Sequence, residues 1–464
     1  MKTVLILSLL CGLVLTTNQI SFVILGASGD LAKRKIYPSL LRLYIDGELP
    51  EKFNVIGYAR SSLTDEDVKA KIEPFIDEQD KDSPFFDHLK YIQGSYDKSS
   101  DFENLNKKLL EIEGDQPSNR IFYLSLPPNV TADPSKGFNR IVIEKPFGRD
   151  LKTFHSLSKS LNSSFTDEET YRIDHFVGKE VVQNIYATRF ANPTFSRAWD
   201  SESIENIQII FKEKIDLEGR GGYFDEYGMI RDVMQNHLMQ ILAMVTMDEP
   251  SSNSNIVQEK IKLLKRVKLS EQDVVAAQYQ GYNTDSSVKK GTTTETFGAI
   301  VAHVENDRWK NVPIYMKAGK ALDEKVLQVI VKFKSTSTLF ADAPGQELVF
   351  RIQPQESIYL NTVSKVAGIS NKLNKVLMKH SYEKDLPDAY VRLLRDVMGG
   401  DKTNFITEEE INVCWQVFDN LLHNLDNVKG TIAQYEKGSS GPSEEIALAN
   451  KYNIDLLVRQ RADC

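Results

Sequence analysis

Cysteine is scarce. The 464 residues contain three, Cys11, Cys414 and Cys464, which make neither a disulfide framework nor a metal cluster. Cys464 ends the chain with no prenylation box around it. Beyond the N-terminus no apolar run could span a membrane, which excludes stable membrane insertion. Excess positive charge is missing too: 57 basic residues stand against 65 acidic ones, a net charge of −8. No global field therefore attracts nucleic acid, and an anionic ligand must be met by a local basic pocket. There is no internal repeat and no low-complexity linker. With 41% hydrophobic and 26% charged residues, the chain has the composition of a soluble globular protein long enough for two or more cores, not of a disordered or fibrous one.

The N-terminus is unlike the rest. "MKTVLILSLLCGLVLTT" carries one lysine, about a dozen mostly apolar residues and then small polar ones, the plan of a secretory signal peptide. Without a clear A-x-A cleavage pattern, an extra buried strand or a wrongly chosen start codon also fits. The sequons Asn129-Val-Thr131 and Asn162-Ser-Ser164 are compatible with secretion and are also expected by chance in a chain this long.

From about residue 20 to 147 the runs "SFVILG", "FNVIGYA", "LKYIQGSY", "NRIFYLSLPP" and "NRIVIEKPFG" alternate with helix-like segments, the signature of a parallel sheet with helices on its faces. The second half changes character. The beta-rich runs "SIENIQIIFKE", "ETFGAIVAHVEN", "VLQVIVKFK" and "ELVFRIQPQESIYL" accompany a strong helix expected at Arg231 to Met247, which predicts an α+β domain with an antiparallel sheet. One connection is anomalous. The strands ending near Leu126 and starting near Arg140 should be parallel, yet "PPNVTADPSKGFN" is short and broken by Pro and Gly, where a parallel crossover normally needs a dozen or more residues.

Within the first half, "GASGDLAKRK" (Gly26 to Lys35) lies where a buried strand becomes a helix. Its G-x-x-G-x-x-A spacing is a relative of the dinucleotide fingerprint, in which small residues let the backbone approach a pyrophosphate. It also suits an ordinary strand-to-helix turn. The next strand ends in Arg60, Ser61 and Ser62, where an NAD site would usually place Asp or Glu for the ribose 2′-OH. A cation there favours a 2′-phosphate, hence NADP, although a solvated arginine at a strand end fits as well.

Three further stretches bear chemistry: "IEKPFG" with Lys145, "YRIDHFVGKE" with Asp174, His175 and Lys179, and "GMIRDVMQNHLMQIL" with Asp232 and His237. On the last of these Ile230, Val233, Met234, Ile241 and Val245 mark a buried stripe that contains His237. A buried histidine needs a partner. It can be a satisfied core residue as readily as a catalyst, and the charges of "RIDHFVGKE" could be an exposed helix start.

"GASGDLAKRKIYPSL", "GYARS", "IEKPFGRDL", "RIDHFVGKEVVQN", "RFANP", "EGRGGYFDEYGMIRDVMQNHLMQ", "VENDRWKNVPI" and "AGKAL" stand in this order. Together they resemble the glucose-6-phosphate dehydrogenase family over nearly everything from residue 20 to about 460. The resemblance implies an α/β Rossmann coenzyme domain followed by an α+β domain whose large, mainly antiparallel sheet makes homodimers or homotetramers. The expected organisation is a signal-like segment at 1–18, an NADP-binding domain at 19–172 and a substrate and dimerisation domain at 173–464. The implied reaction is NADP-dependent oxidation of D-glucose 6-phosphate to 6-phospho-D-glucono-1,5-lactone.

By the same resemblance His237 is the general base for the C1 hydroxyl and Asp174 its partner. His175 and Lys179 bind the sugar phosphate with Lys320 and Lys325 nearby, Lys145 lies between substrate and coenzyme, and Glu218 and Asp232 hold sugar hydroxyls. Gly26, Ser28, Gly29 and Arg60, with Lys145, bind NADP. The chemistry asks for this mixture, since a dianionic phosphate needs several cations and an alcohol oxidation needs a base titrating near neutrality.

The chain also departs from the family. Phe176 stands where a tyrosine is usual, which removes a phosphate hydrogen bond worth on the order of 1–3 kcal/mol. The connection after Pro128 falls where the family has a longer, helix-length crossover. Ser440 replaces an arginine in the region where many eukaryotic members bind a second, structural NADP, while Lys317 and Arg351 match two of that site's contacts. Competing expectations are an inactive homologue, a lumenal hexose-6-phosphate dehydrogenase, and an NADP-linked sugar oxidoreductase of the glucose–fructose oxidoreductase type. The signal-like segment implies the endoplasmic reticulum lumen or the secretory route; without it the family's usual place is the cytosol.

Overall fold

"QISFVIL" is extended because four of its seven residues are β-branched or aromatic and both faces are covered, with six of seven positions buried in the strand Gln19–Leu25. In the computed structural model this is β1, and the residues described are 19–114, 117–123, 137–217, 219, 221–335, 337–340, 343–382, 386–427 and 432–456. The signal-like segment, Asn129 and Glu218 lie outside the described residues. The structure separates into two compact units.

The first unit comprises residues up to Lys145 together with Ser158–His175 and Pro387–Ile406. After β1 come β2 (Phe53–Ala59), β3 (Leu89–Gln93), β4 (Ser118–Tyr123), β5 (Asn139–Glu144) and β6 (Thr170–Ile173), in the spatial order β3-β2-β1-β4-β5-β6. All neighbours are parallel. This is the doubly wound dinucleotide-binding order, whose crevice opens where the strand order reverses, at the carboxyl ends of β1 and β4. The expected parallel pairing of β4 with β5 is present; the connecting residues 124–136 lie outside the described residues.

One face of this sheet packs Phe102, Leu105 and Leu109 of the helix Ser99–Glu113 against Val23, Leu25 and Phe122. The other packs Leu40, Leu41 and Leu43 of the helix Tyr37–Ile45 against Val55 and Leu89, and Leu393, Leu394 and Val397 of the late helix Ala389–Gly399 join the same cluster. Each such fully buried aliphatic side chain stabilises the fold by about 1.5–3 kcal/mol.

The second unit comprises Pro146–Leu157, Phe176–Leu386 and Thr407 onward. It carries β7 (Ile204–Lys212), β8 (Val267–Tyr279), β9 (Phe297–Val304), β10 (Ile314–Gly319), β11 (Val326–Phe333), β12 (Glu347–Gln353), β13 (Ser357–Lys365), β14 (Leu373–Ser381) and β15 (Ala433–Tyr435). Among the described residues these form one sheet in the order β14-β13-β12-β11-β7-β10-β9-β8-β15. Only the β7–β10 and β8–β15 pairs are parallel, so the sheet is mainly antiparallel, as expected.

The helix expected at Arg231 to Met247 is longer and less regular. It begins at Gly221, kinks at Gly228, widens over Ile230–Leu238 and resumes regular winding over Met239–Thr246. The stripe expected on it is real, but every residue from Met239 to Thr246 is buried, so the helix is a core element rather than a surface one. Its carboxyl end is held by Arg189, wholly buried, which donates to Met244 O at 2.6 Å and Met247 O at 2.5 Å. Burial lowers that guanidinium to about 9.

Candidate active site

In the first unit the chain leaves β1 at Gly26, which adopts φ 81° and donates its N–H to Tyr96 Oη at 2.8 Å. Gly29 closes the turn by donating to Gly26 O at 2.8 Å, and a Cβ on Gly29 would stand 3.0 Å from that oxygen. The turn therefore leaves little room for a side chain, as a close approach of a pyrophosphate to the main chain requires. The third small position, Ala32, is buried and opens a widened turn in which Tyr37 N–H reaches Ala32 O, five residues back. Gly57 on β2 explains the fit, since a Cβ there would meet Tyr37 Oη at 2.6 Å and Ala27 Cβ at 3.0 Å.

The ends of β1 and β2 come together on the same side. Ser28 Oγ lies 3.3 Å from Ser61 Oγ, and the exposed Arg60 guanidinium stands 5.9 Å from the Tyr96 ring centroid. Gly26, Ser28, Gly29 and Arg60 thus lie close together, a tight glycine turn beside an exposed cation. Sequence reasoning missed Tyr96; its only signal was its position just after the third strand.

Lys145 is half-buried and follows Glu144 at the end of β5. The Glu144 carboxylate accepts from Tyr123 Oη at 2.5 Å and is also hydrogen-bonded to Tyr390. Burial raises its pKa above the ordinary carboxylate value, with the two tyrosine hydrogen bonds opposing. Tyr390 in turn stacks on His175, centroids 5.8 Å apart and planes at 12°. Asp174, 2% exposed, and His175 close the first unit's central segment.

The second unit resumes at the very next residue, Phe176. Its ring lies on the His237 imidazole, with centroids 3.9 Å apart and planes at 7°. His237 is 3% exposed. The residue that departs from the family's tyrosine is therefore a platform for the candidate base. Lys179 Nζ stands 5.6 Å over the same phenyl ring.

The wide turn that carries His237 would strand main-chain groups, and one side chain serves two of them. Asn236 Nδ2 donates to Arg231 O at 3.0 Å, and its Oδ1 accepts from His237 N–H at 2.7 Å. Met239 N–H reaches Met234 O, five residues back. Such π-type turns recur at functional sites because they re-aim a side chain within a helix. Asp232 is half-buried near Tyr223 and Tyr227, and its charge raises both phenol pKa values in addition to the dominant effect of burial.

Lys320, on the loop after β10, is 8% exposed and donates to Glu213 Oε2 at 2.5 Å, with its Nζ 5.2 Å from the Phe224 ring centroid. Glu213 was not singled out from the sequence, where nothing distinguishes it from other acidic residues near a strand end. Lys325 is exposed before β11. Lys317 is committed elsewhere: it donates to Glu445 Oε2 at 2.8 Å and Ser440 O at 2.7 Å. Burial lowers its pKa, against the raising influence of Glu445. Tyr315 also donates to Glu445. Arg351 donates to Pro354 O at 3.0 Å. Cys414 is buried and outside any disulfide, and among the described residues no helix is long and apolar enough to cross a membrane.

A doubly wound dinucleotide sheet with a glycine turn, followed by a large mixed sheet and a buried histidine on a widened helix, defines a nicotinamide-coenzyme oxidoreductase. Residues 23–184 match the glucose-6-phosphate dehydrogenase NAD binding domain and residues 186–456 its C-terminal domain. The chain belongs to the glucose-6-phosphate dehydrogenase family.

Among its relatives, the chloroplastic glucose-6-phosphate 1-dehydrogenase 3 of Arabidopsis thaliana is 40% identical over 94% of this chain and 80% of its own. The cytoplasmic form 5 of the same plant is 38% identical over 94% and 92%. A solved glucose-6-phosphate dehydrogenase in complex with glucose 6-phosphate superposes with a TM-score of 0.87, at 36% identity over 94% of this chain and 98% of that one.

Proposed function

We propose that this chain oxidises D-glucose 6-phosphate at C1 to 6-phospho-D-glucono-1,5-lactone with NADP. The observation that carries the reading is the pairing of family membership along both domains with a buried His237 held face to face by Phe176.

His237 takes the C1 hydroxyl proton as the hydride leaves that carbon. Bound NADP supplies the acceptor for the hydride. Stacking fixes the imidazole plane, so the base is oriented before substrate arrives. Asp174, two residues before Phe176, is the partner that favours the charged imidazole. His175 and Lys179 hold the sugar phosphate with Lys320, which Glu213 orients, and Lys325. Lys145 stands between sugar and coenzyme, and Asp232 with Glu218 hold hydroxyls. Gly26, Ser28 and Gly29 cradle the pyrophosphate while Arg60 meets the 2′-phosphate, which selects NADP over NAD.

The test is purified protein with glucose 6-phosphate, following absorbance of the reduced coenzyme with NADP, with NAD, and with unphosphorylated glucose. Turnover with glucose equal to that with its 6-phosphate defeats the reading.

The large sheet supports a homodimer or homotetramer, checked by light scattering. Along the chain we infer a signal-like segment at 1–18, a coenzyme domain at 19–172 and a substrate domain at 173–464, with Pro387–Ile406 belonging to the first compact unit and Pro146–Leu157 to the second. The relatives include cytoplasmic and chloroplastic forms; for this chain the signal-like segment supports the lumen or secretory route. Protease resistance in intact microsomes, lost on adding detergent, is the expected result, and full sensitivity places it in the cytosol.

A further inference from the structure

The widened segment that carries His237 begins without a local cap. No side chain at Met229 caps the wide segment Ile230–Leu238. The acceptor comes instead from sixty-five residues further along: Glu295 Oε1 accepts Ile230 N–H at 3.0 Å, and Glu295 O accepts Met229 N–H at 3.0 Å. Glu295 is 5% exposed.

The fit is made by two glycines. Gly228 adopts φ 73°, and a Cβ there would stand 2.5 Å from Glu295 Oε1 and 2.6 Å from Cδ and Oε2. On the strand that follows Glu295, a Cβ at Gly298 would stand 2.9 Å from both Ile230 Cγ1 and Met234 Sδ. Helix start and strand start are thus interlocked, with the carboxylate between them and the helix N-terminus favouring its negative charge. From Ile230 to His237 the chain runs through the wide turn alone, so an error at its first residue is carried to the imidazole.

We propose that Glu295 is a positioning residue for His237: by capping Ile230 it sets the start of the widened helix and hence where the imidazole stands against Phe176. The proposal rests on His237 being the base.

Its test is steady-state kinetics of the full chain, with turnover referred to folded protein by near-ultraviolet circular dichroism. Glu295→Met fills the volume but offers no acceptor to Ile230 N–H, and Glu295→Gln keeps one. Glu295→Met should lower kcat about tenfold to a hundredfold, the scale of a misplaced catalytic group, with the KM for glucose 6-phosphate within about twofold. Glu295→Gln should restore kcat to within about threefold of wild type.

A purely structural role would lower the folded fraction without this split between kcat and KM. Wild-type turnover in Glu295→Met overturns the proposal, as does Glu295→Gln falling as low as Glu295→Met. Should Glu295→Met not fold, Glu295→Ala takes its place and Glu295→Gln still decides. His237→Asn is carried as reference. If it retains turnover, the base assignment itself has failed; if it loses turnover while Glu295→Met does not, only the positioning role has.

Discussion

Both units contain a widened helical turn, and the two are finished in opposite ways. Ala32–Ile36, after the glycine turn, carries Lys33, Arg34 and Lys35 toward solvent, where Arg34 is 56% exposed and its neighbours pair with Asp30 and Asp388. Water can complete whatever that turn leaves open. Ile230–Leu238 is in the core, and its main-chain groups are met by Asn236 and Glu295. A distorted helix is cheap at the surface; inside, it needs side chains committed to it.

The sharpest way to break that contrast is at the residue the buried turn presents. His237→Asn should keep the fold and near-normal substrate KM while kcat falls about 10²–10⁴-fold or more. On the proposed roles Asp174→Asn should cost less, and the double variant should fall well short of the product of the single losses. Wild-type turnover in His237→Asn sends the search for a base elsewhere; simple unfolding makes His237 a core residue.

Glu295 gives the buried turn a pH signature. Burial pushes its carboxyl up to about 7 from an unfolded value near 4.5, with hydrogen bonds from main-chain N–H groups and the Arg231 charge opposing and Asp426 adding to the rise. A folded pKa above the unfolded one means that the native state binds the extra proton. Stability is therefore unaffected by this group below about pH 4.5, falls as pH rises through 7, and is flat above. Glu295→Gln does not ionise. Its stability relative to wild type should increase between pH 5 and 8 by up to about 3 kcal/mol, read from urea denaturation at each pH. A constant difference across that range would mean Glu295 is ionised throughout.

At the exposed end, Arg60→Ala should raise the KM for NADP about tenfold or more relative to that for NAD, the worth of one charge-assisted hydrogen bond. Equal losses for both coenzymes would remove the 2′-phosphate from the argument.

How much of this was written in the sequence differs between the regions in the same way. Five of the six strands of the first sheet were legible, because runs such as "SFVILG" and "FNVIGYA" are buried on both sides and leave a continuous apolar signal, whereas the four-residue β6 is too short to leave one. The tight glycine turn was legible because small residues at a fixed spacing mark it locally. Tyr96, Glu213 and Glu295 were not, since each acts on a residue far away in the chain and no local pattern announces it. The helix of His237 was legible in its apolar positions but not in its widening, because 3.6-residue periodicity says nothing about where a turn takes one residue more. Nor does any local signal tell that Leu393 and Val397 join Leu40 in one core.

Asn236→Ala should cost about 1–3 kcal/mol in urea denaturation, because it leaves Arg231 O and His237 N–H to find other partners where water is scarce.

The same measurement on Arg34→Ala in the exposed turn should change stability by less than about 0.5 kcal/mol. Arg34 stands 4.7 Å from the Phe75 ring centroid and 3.7 Å from Asp30, contacts that solvent screens and that the unfolded chain replaces with water. Its neighbours Ala32 and Ile36 provide the buried side of that turn, so the widened winding persists without the guanidinium. A loss as large as that of Asn236→Ala would show that a widened turn depends on its side chains wherever it stands, and burial would no longer separate the two regions.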